Sequence, residues 1–566
     1  MPPLELWGGI ECTVNRTRDG YRDQTILSGH HDRIADLDLF AGLGLRALRY
    51  PVLWERTLSA SGAAPDWTWA DARLARLREL DIRPILGLVH HGSGPRHTDL
   101  LDEGFAAGLG HFAGLVAERY DWVEEWTPVN EPLTTARFSA LYGHWYPHER
   151  SERAFWGALL NQIDATRAAM RAIRRVNPAA RLIQTEDLGR TYATAPLANQ
   201  AEHDNLRRWA SWDLLDGRVD RHHPLWDVFA RIGLGDRVRR IADDPCPPDV
   251  IGLNHYLTSD RFLDHRTALY PAHLHGGNDH LDFADTEAVR VLDPAPGGLA
   301  GALRDAWDRY AIPIAITEVH NGSTREEQLR WAAEAWDVAE AARDGGIDVR
   351  AVTAWSLLGS YGWNTLLTGG HAYEPGVFDL SSGTPRPTAL AALWRALPHG
   401  ARRHDVVGAP GWWRRQERLL YGTSIVTAAS APAIGRPLLI VGDPSSCGAV
   451  AEACSRRALR HVVEEPTLTG DAAIDPWGVI EIRDRRDHRT IMPHFTITND
   501  TVPTGTAAHG PCPAFIDAAL DLLIDGAAGT WRFEDDRLVP ATSRTTKHAV
   551  AKEHTPVSGA AVVRIP

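Results

Sequence analysis

Residues 123–132 read VEEWTPVNEP. Val123, Trp126 and Val129 give the stretch the look of a buried strand, and it ends on an Asn-Glu pair, Asn130 and Glu131, held between Pro128 and Pro132. Strands buried on both faces read as short apolar runs bounded by turn residues. A glutamate at the end of such a run is either a surface residue at a loop mouth or a carboxylate placed for chemistry. The rest of the chain decides between the two.

Seven further runs of the same kind lie in the first 400 residues: LELWGGIE (4–11), LRALRYPV (45–52), RPILGLVHH (83–91), ARLIQTED (180–187), DVIGLNHY (249–256), IPIAITE (312–318) and RAVTAWSLL (350–358). Amphipathic stretches separate them. In RIADLDLFAGLG (33–44) Ile34, Leu37, Phe40 and Leu43 fall on one helical face before Gly44 stops the helix, and ADARLARLRELD (70–81) and REEQLRWAAEAWDVAEAARDGG (325–346) behave alike. Strand and helix alternating through eight units predict an α/β fold with a parallel sheet under helices, and the count favours a closed (β/α)8 TIM barrel over an open sheet.

Composition narrows the partners. The chain has 566 residues, 44% hydrophobic and 23% charged, enough for one large domain and a smaller one. A formal charge of −13 offers no basic face for nucleic acid. Cys12, Cys246, Cys447, Cys454 and Cys512 are odd in number and lack CxxC spacing, so neither a disulfide framework nor a metal site is expected, and no cofactor. The opening MPPLELWGGIEC has no basic and apolar leader pattern and no run of about 18 apolar residues occurs, so no membrane association and a cytoplasmic location are expected.

Such barrels carry their chemistry at the C-terminal strand ends. The polar or aromatic residues there are Asn15, Arg49, His90, His91, Asn130, Glu131, Glu186, Asp187, Asn254, Tyr256, Glu318 and Trp355. Each alone has a bland reading as a satisfied structural residue; converging on one mouth, they are harder to dismiss. Glu131 and Glu318 end strands four and seven. Two carboxylates across a cleft are the minimum for cleaving a glycosidic bond: one protonates the leaving oxygen, the other attacks the anomeric carbon or activates water.

These residues carry a resemblance. WTPVNEP (126–132) resembles the acid/base motif of glycoside hydrolase family 1, T-F/L/V-N-E-P, and IAITEVHNG (314–322) resembles its nucleophile motif I-T-E-N-G. LWGGIECTVN resembles the opening W-G-x-A-T-x-x-Y-Q, with Asn15 in place of a sugar-binding Gln. LVHHGSGP resembles L-x-H-W-D-x-P, DVIGLNHYLTS the strand-six motif F-x-G-x-N-Y-Y-T-S, and TAWSLLGSYGW the strand-eight motif W-S-L-x-D-N-F-E-W. The likeness covers about residues 4–397. It implies Glu131 as general acid/base and Glu318 as nucleophile of a retaining mechanism, with carboxyls roughly 5 Å apart rather than the roughly 6.5–9.5 Å of an inverting pair. It implies Arg49 beside the nucleophile, Tyr256 holding it, and Asn15, His90 or His91, Asn130, Asn254, Trp355 and Trp363 on the sugar.

The pattern breaks where sugar identity is read. Gly362 stands where the family has a glutamate that binds the glycon O4 and O6 hydroxyls, which removes acceptors and is expected to open space. A 6-deoxy, substituted or larger glycon is then expected in place of plain glucose.

Residues 1–405 are thus the expected catalytic domain and 406–433 a linker or packing arm in which Trp412 and Trp413 pack on the barrel. Residues 434–566 are expected to form a smaller Rossmann-like α/β domain resembling a shortened dTDP-4-dehydrorhamnose reductase. RPLLIVGDPSSCGAVAEACSRRAL supplies strand, turn and helix, but Ser445 replaces a middle glycine and no YxxxK pair accompanies it, Lys547 and Lys552 lying far downstream. The reading is a retaining β-glycosidase acting on a small-molecule glycoside, its oligomeric state open. A non-hydrolytic sugar-conjugate protein on the same barrel, and an NAD(P)-dependent reductase, are the alternatives.

Overall fold

The computed structural model describes residues 2–421, except 18, 19, 59, 61, 279, 402 and 403, and a set of segments beyond them. Eight strands, β1 (Glu5–Gly9), β2 (Ala47–Pro51), β3 (Arg83–His90), β4 (Glu125–Asn130), β5 (Arg181–Asp187), β6 (Val250–Asn254), β7 (Ile314–Val319) and β8 (Val349–Ala354), form a closed barrel in chain order. β1 pairs in parallel with both β8 and β2, which closes the ring. A helix follows each strand: α1 (Asp36–Ala41), α2 (Thr68–Glu79), α3 (Phe105–Arg119), α4 (Glu152–Val176), α5 (Ala210–Leu215), α6 (Gly298–Tyr310), α7 (Arg325–Asp344) and α8 (Ala389–Ala396). On α1, Leu37 and Phe40 are buried as the periodicity predicts, whereas Ile34 precedes the helix and is exposed.

Inside the barrel, Trp7, Ala47, Ile85, Ile183, Val250, Ala315 and Ala351 form one cluster, an inward side chain from seven of the eight strands. Side chains alternate with period 2, so the residues two positions on form the next layer. That layer is small or polar: Gly9, Arg49, Gly87, Thr185, Gly252, Thr317 and Thr353. The apolar floor therefore gives way, within one layer, to groups that hydrogen-bond.

Loops after β5 and β6 supply a four-stranded sheet of Thr191–Ala193, Arg261–Asp264, His275–Gly277 and Asp282–Glu287. Residues 405–421 run back over the barrel. Trp413 is buried edge-on against Trp331 at 5.5 Å and donates from Nε1 to Glu334 at 2.8 Å. Arg290 lies 3.6 Å over the Trp412 ring, and Arg418 donates to the Leu292 carbonyl at 2.7 Å.

Further strands are β9 (Leu438–Val441), β10 (His461–Glu464), β11 (Gly478–Ile482), β12 (Phe495–Thr498), β13 (Trp531–Glu534), β14 (Arg537–Pro540) and β15 (Ala561–Ile565), with α9 (Pro444–Arg456) after β9. Their sheet order is β10-β9-β11-β15-β12-β13-β14, parallel save for the β13–β14 pair. Residues 422–437 of the expected arm and domain, Gly442 of the expected turn, Cys512, Lys547 and Lys552 lie outside the described residues. Cys12, Cys246, Cys447 and Cys454 are buried and form no disulfide among the described residues. Among the described residues no helix is long and apolar enough to cross a membrane, and no group of three or more His, Cys, Asp or Glu could hold a metal ion.

Candidate active site

Simple alternation from Ala315 would point Thr317 inward and Glu318 out. Thr317 does face inward, but a register shift between Ile316 and Glu318 turns the second residue as well: Ile316 pairs with Leu253, yet Glu318 pairs with the next residue, Asn254. The extra residue is a β-bulge, which re-aims the side chains after it. Since 250, 252 and 254 share one face of β6, Glu318 shares the inward face with Asn254. There Arg49 Nη1 donates to Glu318 Oε1 at 2.8 Å, and the Tyr256 hydroxyl donates to Oε2.

Glu131 reaches the same mouth by backbone strain. It has φ 45° and ψ 63°, left-handed values uncommon for a residue with a Cβ. Its N–H donates to the Thr185 carbonyl at 3.3 Å, and Pro132 opens the short helix Pro132–Ala136, where a missing N–H costs nothing. Glu186, read from sequence as a mouth residue, is fully buried and holds that helix start, accepting from Leu133 N at 2.8 Å and Ser211 Oγ at 2.7 Å.

The two carboxylates sit in unlike surroundings. Burial, then the charges of Glu318, Asp187 and Glu186, push Glu131 well above the ordinary carboxyl range, with the Asn254 amide opposing. Among the described residues its nearest basic group is the His91 Nε2 at 3.7 Å, and burial drives that imidazole down to about 3, so it is neutral. Glu318 is also raised by burial, but Arg49 and Tyr256 pull it back. Glu131 therefore keeps its proton in a pH range where Glu318 is the more readily ionised of the two.

The remaining predicted residues knit around this pair. Asn130 Oδ1 accepts from Arg49 Nη2 at 2.6 Å and Thr185 Oγ1 at 2.8 Å, leaving its Nδ2 between the Nε2 atoms of His90 and His91 at 3.4 and 3.3 Å. Asn254, expected on the sugar, has its amide engaged at both ends: Oδ1 accepts from Thr317 Oγ1 at 2.6 Å and Nδ2 donates to Glu131. His90 stacks on Trp355, while the His91 ring lies 5.3 Å from Trp363 and its Nδ1 3.0 Å from Thr135 Oγ1. A Cβ on Gly9 would sit 2.6 Å from the Trp355 ring, so the glycine makes room for that indole. Asn15 Nδ2 donates to the His91 carbonyl at 2.6 Å, leaving Oδ1 unpartnered.

Two features differ from the sequence reading. Gly362 does not face an open space: it has φ +74°, and a Cβ there would lie 2.8 Å from the Gly370 carbonyl. The loop folds back on that position, with Gly362 N donating to Ala372 O at 2.8 Å and Leu367 N to Gly362 O at 2.9 Å. The second is Glu11, which the sequence reading passed over although it ends the first apolar run as Glu131 ends the fourth. It is buried, its Oε1 accepts from Thr13 N at 2.9 Å, and burial lifts its carboxyl to about 7.

No family model matches the chain. Curated relatives include beta-glucosidase 4 of Oryza sativa subsp. japonica, 23% identical over 441 residues, 69% of this chain and 88% of the relative. Coniferin beta-glucosidase of Pinus contorta is 22% identical over 449 residues, 69% of this chain and 85% of the relative. A third relative, 23% identical over 412 residues, is the probable inactive beta-glucosidase 14 of Oryza sativa subsp. japonica. Among solved structures, a family 1 β-glucosidase from Thermotoga maritima superposes with TM-score 0.55 at 17% identity, over 70% of this chain and 98% of its own. The complex of a Thermotoga maritima β-glucosidase with cyclophellitol gives TM-score 0.57 over the same shares. The parallel barrel is thus the fold of these β-glucosidases.

Proposed function

We propose that the protein is a retaining β-glycosidase, with Glu131 as general acid/base and Glu318 as nucleophile. The curated relatives are β-glucosidases by name, which puts the chain among the glycosidases. The observation that carries the finer reading is the pairing of unequal carboxyls at facing strand ends, Glu318 bonded to Arg49 and Tyr256, Glu131 lifted by burial and by Glu318 itself. Protonated Glu131 gives its proton to the leaving oxygen as Glu318 attacks the anomeric carbon. The glycosyl ester that forms removes the Glu318 charge, so the acidity of Glu131 rises and its carboxylate is left to take a proton from water. Water then releases the sugar with the configuration it entered with, and Glu131 is protonated again.

The glycon in this reading differs from plain glucose, being deoxy or substituted, because the 362 position supplies no acceptor. The sheet from β9 to β15 is, in the same reading, a degenerate nucleotide-binding fold kept for stability, assembly or sugar recognition. Parallel neighbours on both sides of β9 support it, and the sequence's Ser445 in place of a middle glycine argues against a bound pyrophosphate. Accordingly NAD and NADP should leave the melting temperature unchanged, and a clear shift with either would revive the reductase reading.

The test of the hydrolase is a panel of aryl β-glycosides. Wild type should turn over at least one and be labelled at Glu318 by a 2-fluoro glycoside. Glu318→Gly should be inactive until azide is added, giving the α-glycosyl azide, since azide then attacks the face that Glu318 occupied. Absence of turnover and of labelling across the panel would sink the proposal.

A further inference from the structure

Glu11 is a buried carboxylate in the mouth that the two-carboxylate mechanism leaves idle. Its backbone is fixed: Glu11 N donates to Ser356 Oγ at 3.0 Å, which ties the second residue beyond β1 to the residue after Trp355. The charge of Glu318 acts on its carboxyl, and its own charge acts on Tyr256, the phenol that donates to Glu318. It is only 6% exposed, and among the described residues no Arg, Lys or His forms an ion pair with it. Buried carboxylates are ordinarily paired or fully hydrogen-bonded. Here the one close donor is the backbone N–H of Thr13, and the Thr13 hydroxyl and Trp363 indole stand beside the carboxylate as donors that do not close to full hydrogen-bond geometry.

The groups around it are unfinished in the same way. The Trp363 indole acts on the carboxylate as a donor and pulls its pKa down, although Nε1 does not close a full hydrogen bond. Asn15, four residues on and 2% exposed, leaves Oδ1 without a partner. A carboxylate with one close donor and an amide oxygen with none call for a ligand that donates. A hydroxyl donates, and a sugar presents several. Gly362, closed against the Gly370 carbonyl, offers no side chain for this purpose.

We propose that Glu11 is a glycon-binding residue: its carboxylate accepts a hydrogen bond from one particular hydroxyl of the sugar held beside Glu318, and thereby selects sugars that carry it. This rests on the glycosidase reading for the identity of the ligand. The test pairs wild type, Glu11→Gln and Glu11→Ala with the best aryl β-glycoside and its four monodeoxy analogues, at positions 2, 3, 4 and 6. Thermal melts check that both variants fold. Hydrogen bonds to charged groups are worth enough that Glu11→Ala should lower kcat/KM for the parent about tenfold or more. Against one deoxy analogue the same substitution should cost less than about twofold, because the partner hydroxyl is already gone. Glu11→Gln, which keeps an acceptor oxygen, should fall between. The cycle is repeated on calorimetric Kd values for uncleavable S-linked glycosides. Coupling to one hydroxyl in Kd without any turnover would keep the assignment of Glu11 and remove the hydrolase. Losses equal across all analogues in both readouts, or no loss with any, would overturn the assignment.

Discussion

At the residue scale the chemistry rests on a difference between two glutamates of one type. Burial raises both, and what separates them is company: Glu318 has a guanidinium and a phenol, Glu131 an amide and three other carboxylates. A proton donor is needed most when the leaving group is a poor one. Glu131→Gln should therefore cut kcat/KM for an alkyl glycoside by about 10²–10⁴ and that for a dinitrophenyl glycoside by less than about tenfold. The alkaline limb of the kcat/KM profile, which in wild type follows the loss of the Glu131 proton above the usual carboxyl range, should vanish in the variant. Equal losses for both substrates would remove Glu131 from the donor role. The sequence made Glu131 visible because an Asn-Glu pair between prolines is odd at the end of an apolar run. It made Glu11 equally visible, at the end of the first run, but no motif position asked for a carboxylate there.

At the element scale the strands were legible and their irregularities were not. Eight apolar runs separated by amphipathic stretches give the barrel directly, since strand and helix periods differ and a parallel sheet buries both strand faces. The bulge in β7 leaves no such trace: Ile-Ala-Ile-Thr-Glu-Val holds no glycine or proline to mark it, and the pairings with β6 and β8 show that the strand gains one residue on its neighbours after Ile316. The left-handed turn at Glu131 was hidden for a related reason, because Pro132 disfavours the α-helical region for the residue before it without saying which alternative is taken. For the arm at 405–421 the sequence favours packing over sugar binding for two adjacent tryptophans, without separating one from the other. Trp413 is 2% exposed against Trp331 and Glu334, whereas Trp412 is half-buried under Arg290. Trp413→Ala should destabilise the protein by about 3–5 kcal/mol, read as a lower denaturant midpoint, and Trp412→Ala by distinctly less. Equal effects would mean that the arm is held by its arginines, Arg414, Arg415 and Arg418, rather than by the buried indole.

At the scale of the whole molecule, a barrel mouth crowded with buried carboxyls makes stability depend on pH in an unusual direction. Glu11, Glu55 and Glu186 are each lifted to about 7, in every case chiefly by burial. A carboxyl raised in the folded state contributes stability that is fully present below its unfolded pKa, near 4.5, and is lost as pH rises through about 7. Asp213, Asp264 and Asp379 are depressed and act in the opposite sense, their contribution being lost as pH falls through their folded values. Glu55 isolates the first effect, since it stands outside the catalytic pair: Oε1 accepts from Gly94 N at 3.1 Å and Oε2 has no partner. A shift from 4.5 to about 7 corresponds to something on the order of 3 kcal/mol between acid and alkaline conditions. Glu55→Gln carries no such titration. The melting temperature of Glu55→Gln minus that of wild type should therefore increase steadily from pH 5 to pH 8, whatever its starting value. A difference that stays constant over that range would show that Glu55 titrates as an ordinary carboxyl, and that the crowding of acids around the mouth does not set the alkaline limit of the fold.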